Sequence, residues 1–415
     1  MFEGLGSMPG NKHHIELKEN CVPVINPPRR VPLTIQGKLK LTLESLESQG
    51  IVTKVNEPTD WVQSLVIVQK PNGNLRLCLD PKELNRVIKR EHYMLPTCDE
   101  IVNRLQGKTV FSVLDCKDGY WQIQLDDESS KLCTFNTPFG RFKFNRLPFG
   151  INSAPEIFQK KCYELFGDLP GVGIYFDDIV VSGSDEKEHD ANLERLLKRA
   201  ASCNVKFNKE KFQFRVHEIK YLGMIINKDG VKADPSHVRA IKEMKTPSNK
   251  QEVRRLLGMI NYLSKFMPNV SKVTAPLRNL IKNNVDFCWS FEHDDSFNKI
   301  KSMLTTAPVL KVFNPKEDIV IQADSSKDGM GACLLQNSQP VSFVSRSLSP
   351  NEQNFAQIEK ELLAIVFAFE KYHYFVYGRK VIVQSDHKPL ETIINKPLPK
   401  VTSRLQNNVA KTSQV

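Results

Sequence analysis

Short apolar runs broken by turn-forming residues recur between residues 64 and 181, and they predict strands. Ser64-Leu65-Val66-Ile67-Val68 and Leu75-Arg76-Leu77-Cys78-Leu79 flank Lys70-Pro71-Asn72-Gly73-Asn74. Strand, Asn-Gly turn and strand predict a hairpin, because Asn-Gly accepts the positive φ that tight hairpin turns need. Val110-Phe111-Ser112-Val113-Leu114 reads as a buried strand, as do Gly171 to Tyr175 and Ile179 to Val181. A helix is expected from about Thr34 to Gln49, stopped by Gly50, after an extended arm over 21–32 that holds Pro23, Pro27, Pro28 and Pro32. Asp80-Pro81 is expected to start a short helix, with proline at its first position. Ser153-Ala154-Pro155-Glu156 has capping-box form and predicts a helix through Phe158 and Gln159 towards Leu165. From Gln251 to Phe266, apolar Val253, Leu256, Leu257, Ile260, Leu263 and Phe266 fall at helical spacing, with Lys250, Arg254, Arg255 and Lys265 between them. That basic face suits either solvent or a nucleic acid. After Pro315 the pattern changes to three strands (Asp318 to Ala323, Gly331 to Gln336, Pro340 to Ser345), a long helix from Glu352 to Tyr377, and a strand at Val381 to Gln384. This predicts a separate α/β module, and the polar stretch from Gln406 to Val415 is expected to fray.

A length of 415 residues exceeds one core, and about 150 residues per domain implies two or three. The 58 basic against 47 acidic residues, net +11, favour a polyanionic partner, nucleic acid first. Nine cysteines without a C-x-x-C pair indicate neither a disulfide framework nor a zinc knuckle, and they fit a reducing compartment. No apolar window reaches the roughly 18 residues of a membrane span, and the N-terminus lacks a signal-peptide run. The expected location is therefore cytoplasmic or nuclear, with no membrane partner. His13 and His14 lack a second ligand pair at metal-site spacing and are expected in a solvated loop.

The chemistry gathers on acids. In Tyr175-Phe176-Asp177-Asp178 two carboxylates interrupt what is otherwise buried strand, and Asp115 ends another apolar run. Burying carboxylates is costly unless a cation compensates them. Hard oxygen ligands without His or Cys suit Mg²⁺, with Mn²⁺ as the alternative, and two such ions would serve phosphoryl-type transfer.

Leu114-Asp115-Cys116-Lys117-Asp118-Gly119-Tyr120-Trp121-Gln122-Ile123, then Leu147-Pro148-Phe149-Gly150-Ile151-Asn152-Ser153-Ala154-Pro155, then Tyr175-Phe176-Asp177-Asp178, closely resemble the reverse transcriptase of gypsy-type LTR retrotransposons. The resemblance implies an α+β, multidomain chain: a right-hand polymerase of fingers, palm and thumb, followed by a ribonuclease H-like α/β domain. The implied divisions are an N-terminal arm and helix over 1–50, fingers and palm over 51–227, thumb and connection over 228–285, the ribonuclease H-like domain over 286–400, and a tail over 401–415. Asp115, Asp177 and Asp178 correspond to the palm carboxylates. Tyr120 takes the sugar-gate position that selects deoxynucleotides, and Phe149 and Gln159 match positions lining the nucleotide pocket. Lys70 and Arg76 would close over the triphosphate, Arg by bidentate contacts and Lys as a point charge. Lys211 falls near a lysine proposed to protonate the leaving pyrophosphate, and Tyr221-Leu222-Gly223 resembles the primer-grip hairpin. In the C-terminal module the resemblance implies a second metal site of Asp324, Glu361 and Asp386. Glu361 is preferred to Glu359 because it directly precedes Leu362-Leu363-Ala364, as the family glutamate does.

The implied activity is RNA-directed DNA polymerase, with two Mg²⁺ ions per active site. The implied partners are an RNA or DNA template with its primer, an RNA/DNA hybrid, and deoxynucleoside triphosphates. The further strand, helix and fourth acid of the family's ribonuclease H are not found after Leu390, so the nuclease is expected to be truncated and weak or inert. The competing expectation is a catalytically silent, nucleic-acid-binding remnant of a retroelement. Oligomeric state is not legible.

Overall fold

The computed structural model describes residues 1–71, 73–386 and 390. The expected tail and Asn72 of the hairpin turn lie outside the described residues. The chain divides into two compact units, Met1–Ile219 and the residues from Lys220 onward. Among the described residues no helix is long and apolar enough to cross a membrane.

In the first unit α1 (Leu33–Ser48) leads into β1 (Val52–Val55). The hairpin of β2 (Ser64–Gln69) and β3 (Leu75–Asp80) is in register from Ser64↔Asp80 to Gln69↔Leu75. Next come α2 (Lys82–Val87), α3 (Cys98–Arg104), β4 (Val110–Asp115), a 3₁₀ turn at Gly119–Gln122, and α4 (Asp127–Leu132). Pro81 stands just before α2 rather than inside it. β5 (Thr134–Thr137) and β6 (Gly140–Phe144) form a three-stranded sheet of order β1-β6-β5. Then follow α5 (Ala154–Phe166), β7 (Val172–Tyr175), β8 (Asp178–Gly183), α6 (Glu186–Ser202) and β9 (Gln213–Val216).

The sheet that positions the site has the order β7-β8-β4-β9. Strand β4 has neighbours on both edges, and its residues from Val110 to Leu114 are all buried, which explains a run that is apolar rather than alternating. The single polar residue inside it, Ser112, is fully buried and bonded to the equally buried His189 ring, Oγ to Nε2 2.9 Å. Helix α5 packs against β7 and α6 against β8. Phe158, Cys162 and Phe166 from α5, with Leu193 and Leu196 from α6, join Leu114, Ile179 and Val181 in one core.

Two local expectations fail here for the same reason, a distant partner. The capping box at Ser153 does not form: Ser153 is already helical in φ and ψ and its side chain makes no cap bond, because Glu156 pairs with Arg90 instead. His14 is exposed as expected, but His13 is half-buried and forms a parallel bridge with Leu125. The N-terminal arm lies along the unit, with Met8 N–H donating to Gln122 O (2.8 Å), His13 N–H to Gln124 O (2.7 Å) and Phe207 N–H to Met1 O (3.3 Å). His14 Nδ1 meets Asp126 Oδ2 at 2.7 Å.

The second unit holds the sheet of β10 (Glu218–Tyr221), β11 (Met224–Asn227) and β12 (Gly230–Ala233). Five helices follow: α7 (Pro235–Lys242), α8 (Lys250–Leu263), α9 (Val270–Val273), α10 (Ala275–Leu280) and α11 (Phe291–Thr305). β13 (Ile319–Ser325), β14 (Gly329–Gln336), β15 (Gln339–Ser347) and, after two helices, β16 (Val381–Gln384) make a sheet of order β15-β14-β13-β16, in which β16 runs parallel to β13. The expected single helix over 352–377 is two: α12 (Pro350–Gln353) and α13 (Gln357–Val376). Glu352 serves as the third residue of a capping box on Ser349, and Glu359 accepts the Ala356 N–H at 3.0 Å, so the helix starts twice. α13 lies against β13 and β14 and buries Leu362, Ile365, Phe367, Tyr372 and Phe375.

Candidate functional site

Register brings the first unit's acids together. β4 pairs with β8 so that Asp115 stands opposite Asp178, and β7 pairs with β8 so that Tyr175 opposite Asp178 closes a two-residue loop, Phe176-Asp177. Opposed side chains share one face of a sheet, with Cβ atoms about 5 Å apart. The Cys116 N–H donates to Asp177 O at 2.8 Å and ties the loop to the end of β4.

Phe176 has φ +49°, a left-handed conformation that costs a side-chain-bearing residue on the order of 1 kcal/mol. Gln159 holds it there. The Phe176 N–H donates to Gln159 Oε1 at 2.7 Å, and Gln159 Nε2 donates to Ile174 O at 3.1 Å. Gln159 is 1 % exposed, so the expectation that it lines a nucleotide pocket gives way: both halves of its amide grip the turn from beneath. The signal was present, since Gln159, Cys162 and Phe166 share the buried stripe of α5, and a glutamine there needs backbone partners. Gln159→Leu leaves the Phe176 N–H and the Ile174 carbonyl without these bonds, and is expected to lower unfolding stability by about 1–3 kcal/mol in a thermal or denaturant melt.

Burial first, then repulsion from Asp115 and Asp178, pushes the Asp177 carboxyl up to about 6. Asp178 is also raised, by burial and then by Asp115. Among the described residues Asp177 Oδ1 is buried with no hydrogen-bond partner. Lys211 Nζ lies 2.7 Å from Asp115 Oδ2. Three neighbouring carboxylates with an unpartnered oxygen are hard donors of the kind a divalent cation takes. Gly119 makes room for them: a Cβ there would meet Asp177 Oδ1 at 2.5 Å and Phe158 Cζ at 2.9 Å.

Beside the acids stands an aromatic platform. The half-buried Tyr120 ring lies 5.0 Å from Phe149 and 5.6 Å from Phe158, and burial with the nearby Asp177 pushes its phenol up to about 12. The Arg76 guanidinium sits 4.8 Å above the Phe149 ring. Lys70, Arg76 and Phe149 line an open pocket of ≈ 600 Å³ together with Lys38, Thr42 and Ser45 of α1. The α1 residues were missed from sequence because nothing local signals that this helix borders the hairpin.

In the second unit, ligand oxygens of Asp324, Glu361 and Asp386 lie within 4.8 Å of one another. They come from β13, from α13 and from just beyond β16. Glu361 is 3 % exposed, and its Oε1 accepts from Ser325 Oγ at 2.8 Å and Gln357 Nε2 at 2.6 Å. Its Oε2 is buried without a partner among the described residues. Burial, with Asp324 and Asp386 nearby, raises its pKa. The competing Glu359 is committed to the Ala356 N–H. This set too fits a divalent cation. Gln357 was missed, although its i, i+4 spacing to Glu361 was readable.

Residues 68–226 match the family model for reverse transcriptase (RNA-dependent DNA polymerase), and residues 289–383 match the RNase H-like domain found in reverse transcriptase. The chain belongs to the reverse transcriptases. The chain is 30 % identical over 395 residues to the retrovirus-related Pol polyprotein from transposon 297 of Drosophila melanogaster, covering 94 % of the chain and 37 % of the relative. It is 33 % identical over 382 residues to that from transposon opus, covering 86 % and 38 %, and 31 % identical to that from transposon gypsy, covering 84 % and 36 %. The chain thus spans less than two fifths of these curated relatives. Among solved structures, a foamy viral protease-reverse transcriptase in complex with double-stranded DNA shares the fold at a TM-score of 0.89 and 22 % identity, over 99 % of this chain and 73 % of that one. The same viral enzyme with an RNA/DNA hybrid gives 0.86 at 22 % identity, over 98 % and 56 %.

The hairpin of this reverse transcriptase at Tyr221-Leu222-Gly223 turns through two positive φ values, +52° at Leu222 and +66° at Gly223. Tyr262 of α8 donates its hydroxyl to Leu222 O at 2.8 Å. Arg254, Arg255 and Gly258 on α8 are exposed, and an exposed glycine inside a helix costs about 1 kcal/mol relative to alanine.

Proposed function

We propose that this chain is an RNA-directed DNA polymerase with an attached, incomplete ribonuclease H-like module. The observation that carries the reading is Asp177: a carboxylate held desolvated, with one oxygen unpartnered, beside Asp115 and Asp178 and near the cations Lys211 and Arg76. Two divalent ions, Mg²⁺ or Mn²⁺, held by Asp115, Asp177 and Asp178 would supply the Lewis-acid charge that phosphoryl transfer to a primer 3′-hydroxyl needs. Lys70 and Arg76 bind the triphosphate of an incoming deoxynucleotide. Tyr120, backed by Phe149 and Phe158, presents its ring where a ribose 2′-hydroxyl would clash. Gln159 keeps the Asp177 turn in place without touching substrate.

The exposed arginines and the open Gly258 on α8 suit a duplex lying against that helix, which supports a primer–template partner held through phosphates. In the second unit Asp324, Glu361 and Asp386 would hold the metal that assists hydrolysis of the RNA strand of a hybrid, with Ser325 and Gln357 orienting Glu361. The nine cysteines are all free, which supports a reducing compartment, cytoplasmic or nuclear.

The test is primer extension on an end-labelled RNA template with a DNA primer, deoxynucleotides and Mg²⁺. Expected are stepwise extension, weak or absent shortening of the labelled RNA, and binding that weakens by roughly a hundredfold or more between about 50 and 200 mM salt. Tight, salt-sensitive binding without extension would instead identify a silent remnant.

A further inference from the structure

An exposed cation touches the first unit's acids. Lys211 places its Nζ 2.7 Å from Asp115 Oδ2 although its side chain is 62 % exposed and that of Asp115 only 15 %. A lysine so open to water gains little from an ion pair and gives up side-chain freedom to make it. Its position is therefore set by the backbone that carries it. Cys116 forms an antiparallel bridge with Phe207, Lys117 N–H donates to Lys206 O at 3.0 Å, and Asn208 N–H donates to Asp115 O at 2.8 Å. Glu210 N–H then donates to Asn208 Oδ1 at 3.0 Å, and the Phe212 ring is held between Phe2 and Phe214, each 5.8 Å away. The strand end that presents Asp115 thus also anchors the turn that presents Lys211, so ammonium and carboxylate are aimed at each other by one strap. Asp177 Oδ1, close by, is left without any partner among the described residues.

We propose that Lys211 is an exchangeable counter-ion for the polymerase carboxylates: its ammonium neutralises Asp115 while no divalent cation is bound, yields to one that binds, and thereby sets the affinity of the site for that cation. This rests on the assignment of Asp115, Asp177 and Asp178 as metal ligands. Lys211 acts here as a positioning residue, competing for a ligand oxygen rather than contacting substrate. The exchange needs only a side-chain rotation, because the strap is secured by backbone bonds that do not involve Nζ.

The experiment is a titration of the full chain with Mn²⁺ in the absence of nucleic acid, with free Mn²⁺ followed by its electron paramagnetic resonance signal. Asp324→Asn and Glu361→Gln are built into every protein to silence the second cluster. Adding Lys211→Gln is expected to tighten Mn²⁺ binding by about three- to tenfold, while Lys211→Arg, which keeps the charge, stays within about twofold of the starting protein. Unchanged or weaker binding in Lys211→Gln overturns the inference. Asp115→Asn in the same titration separates the two layers. If it leaves Mn²⁺ binding intact, the metal assignment itself fails; if it removes the site and Lys211→Gln still has no effect, only the counter-ion role fails.

Discussion

Asp177→Asn is expected to reduce primer extension on the order of a thousandfold while raising the melting temperature of the metal-free protein at neutral pH. The loss would follow from removing an oxygen ligand and a negative charge where the proposed divalent cations would sit. The gain follows from desolvation. Because burial and two neighbouring acids lift the Asp177 carboxyl to about 6, the folded chain holds this proton more tightly than the unfolded chain, in which the group returns to its ordinary value of 3.8. Folding stability therefore falls as pH rises from about 4 to about 6 and stays reduced above that, by about 1–3 kcal/mol once solvent at the group's open edge is allowed for. A neutral amide of the same shape escapes that penalty. Melting curves in chelator should show the variant above the natural chain near about pH 7.5, with the two converging near about pH 4. A variant no more stable than the natural chain at the higher pH would mean that the carboxylate is better solvated than its surroundings indicate.

The second large effect is expected from one methyl group. In Gly119→Ala the added carbon would stand 2.5 Å from Asp177 Oδ1 and 2.9 Å from the Phe158 ring. Phe158 is fully buried and cannot retreat, so the Asp177 carboxylate or the 3₁₀ turn that carries Tyr120 must move. Either displacement misplaces a group beside the reacting atoms, and single-nucleotide incorporation should fall at least about a hundredfold. Overpacking should also cost about 1–3 kcal/mol of stability, which a melt separates from the kinetic loss. Undiminished incorporation by Gly119→Ala would show that the site has slack the packing does not suggest.

What could be read from the sequence depended on how local the controlling contacts are. The β2-β3 hairpin was legible because its strands and turn lie within seventeen residues of chain, and β4 because a strand buried on both faces is largely apolar rather than alternating. Asp115, Asp177 and Asp178 stood out as acids that end apolar runs. Contacts that join distant segments were not legible. Ser153 lost its capping role to an Arg90–Glu156 pair spanning 66 positions, and Gln159 was drawn under the Phe176 turn by backbone groups of another element. Glu352 and Glu359 each act as a helix-start acceptor, which divides a stretch whose apolar spacing reads as one helix. Gln357 and Ser325 came to light only through the oxygen they share on Glu361.

The family match begins at residue 68, but the folded body begins sixty residues earlier: Met8 and Ile15 are buried in the same core as Phe158 and Leu114. A recombinant fragment trimmed to the matched stretch would strip the donors from the carbonyls of Gln122 and Gln124 and uncover apolar surface behind the Tyr120 turn. Expression boundaries for this chain are therefore dictated by the leading arm, which carries no recognisable motif yet backs the turn that presents Tyr120 beside Asp177.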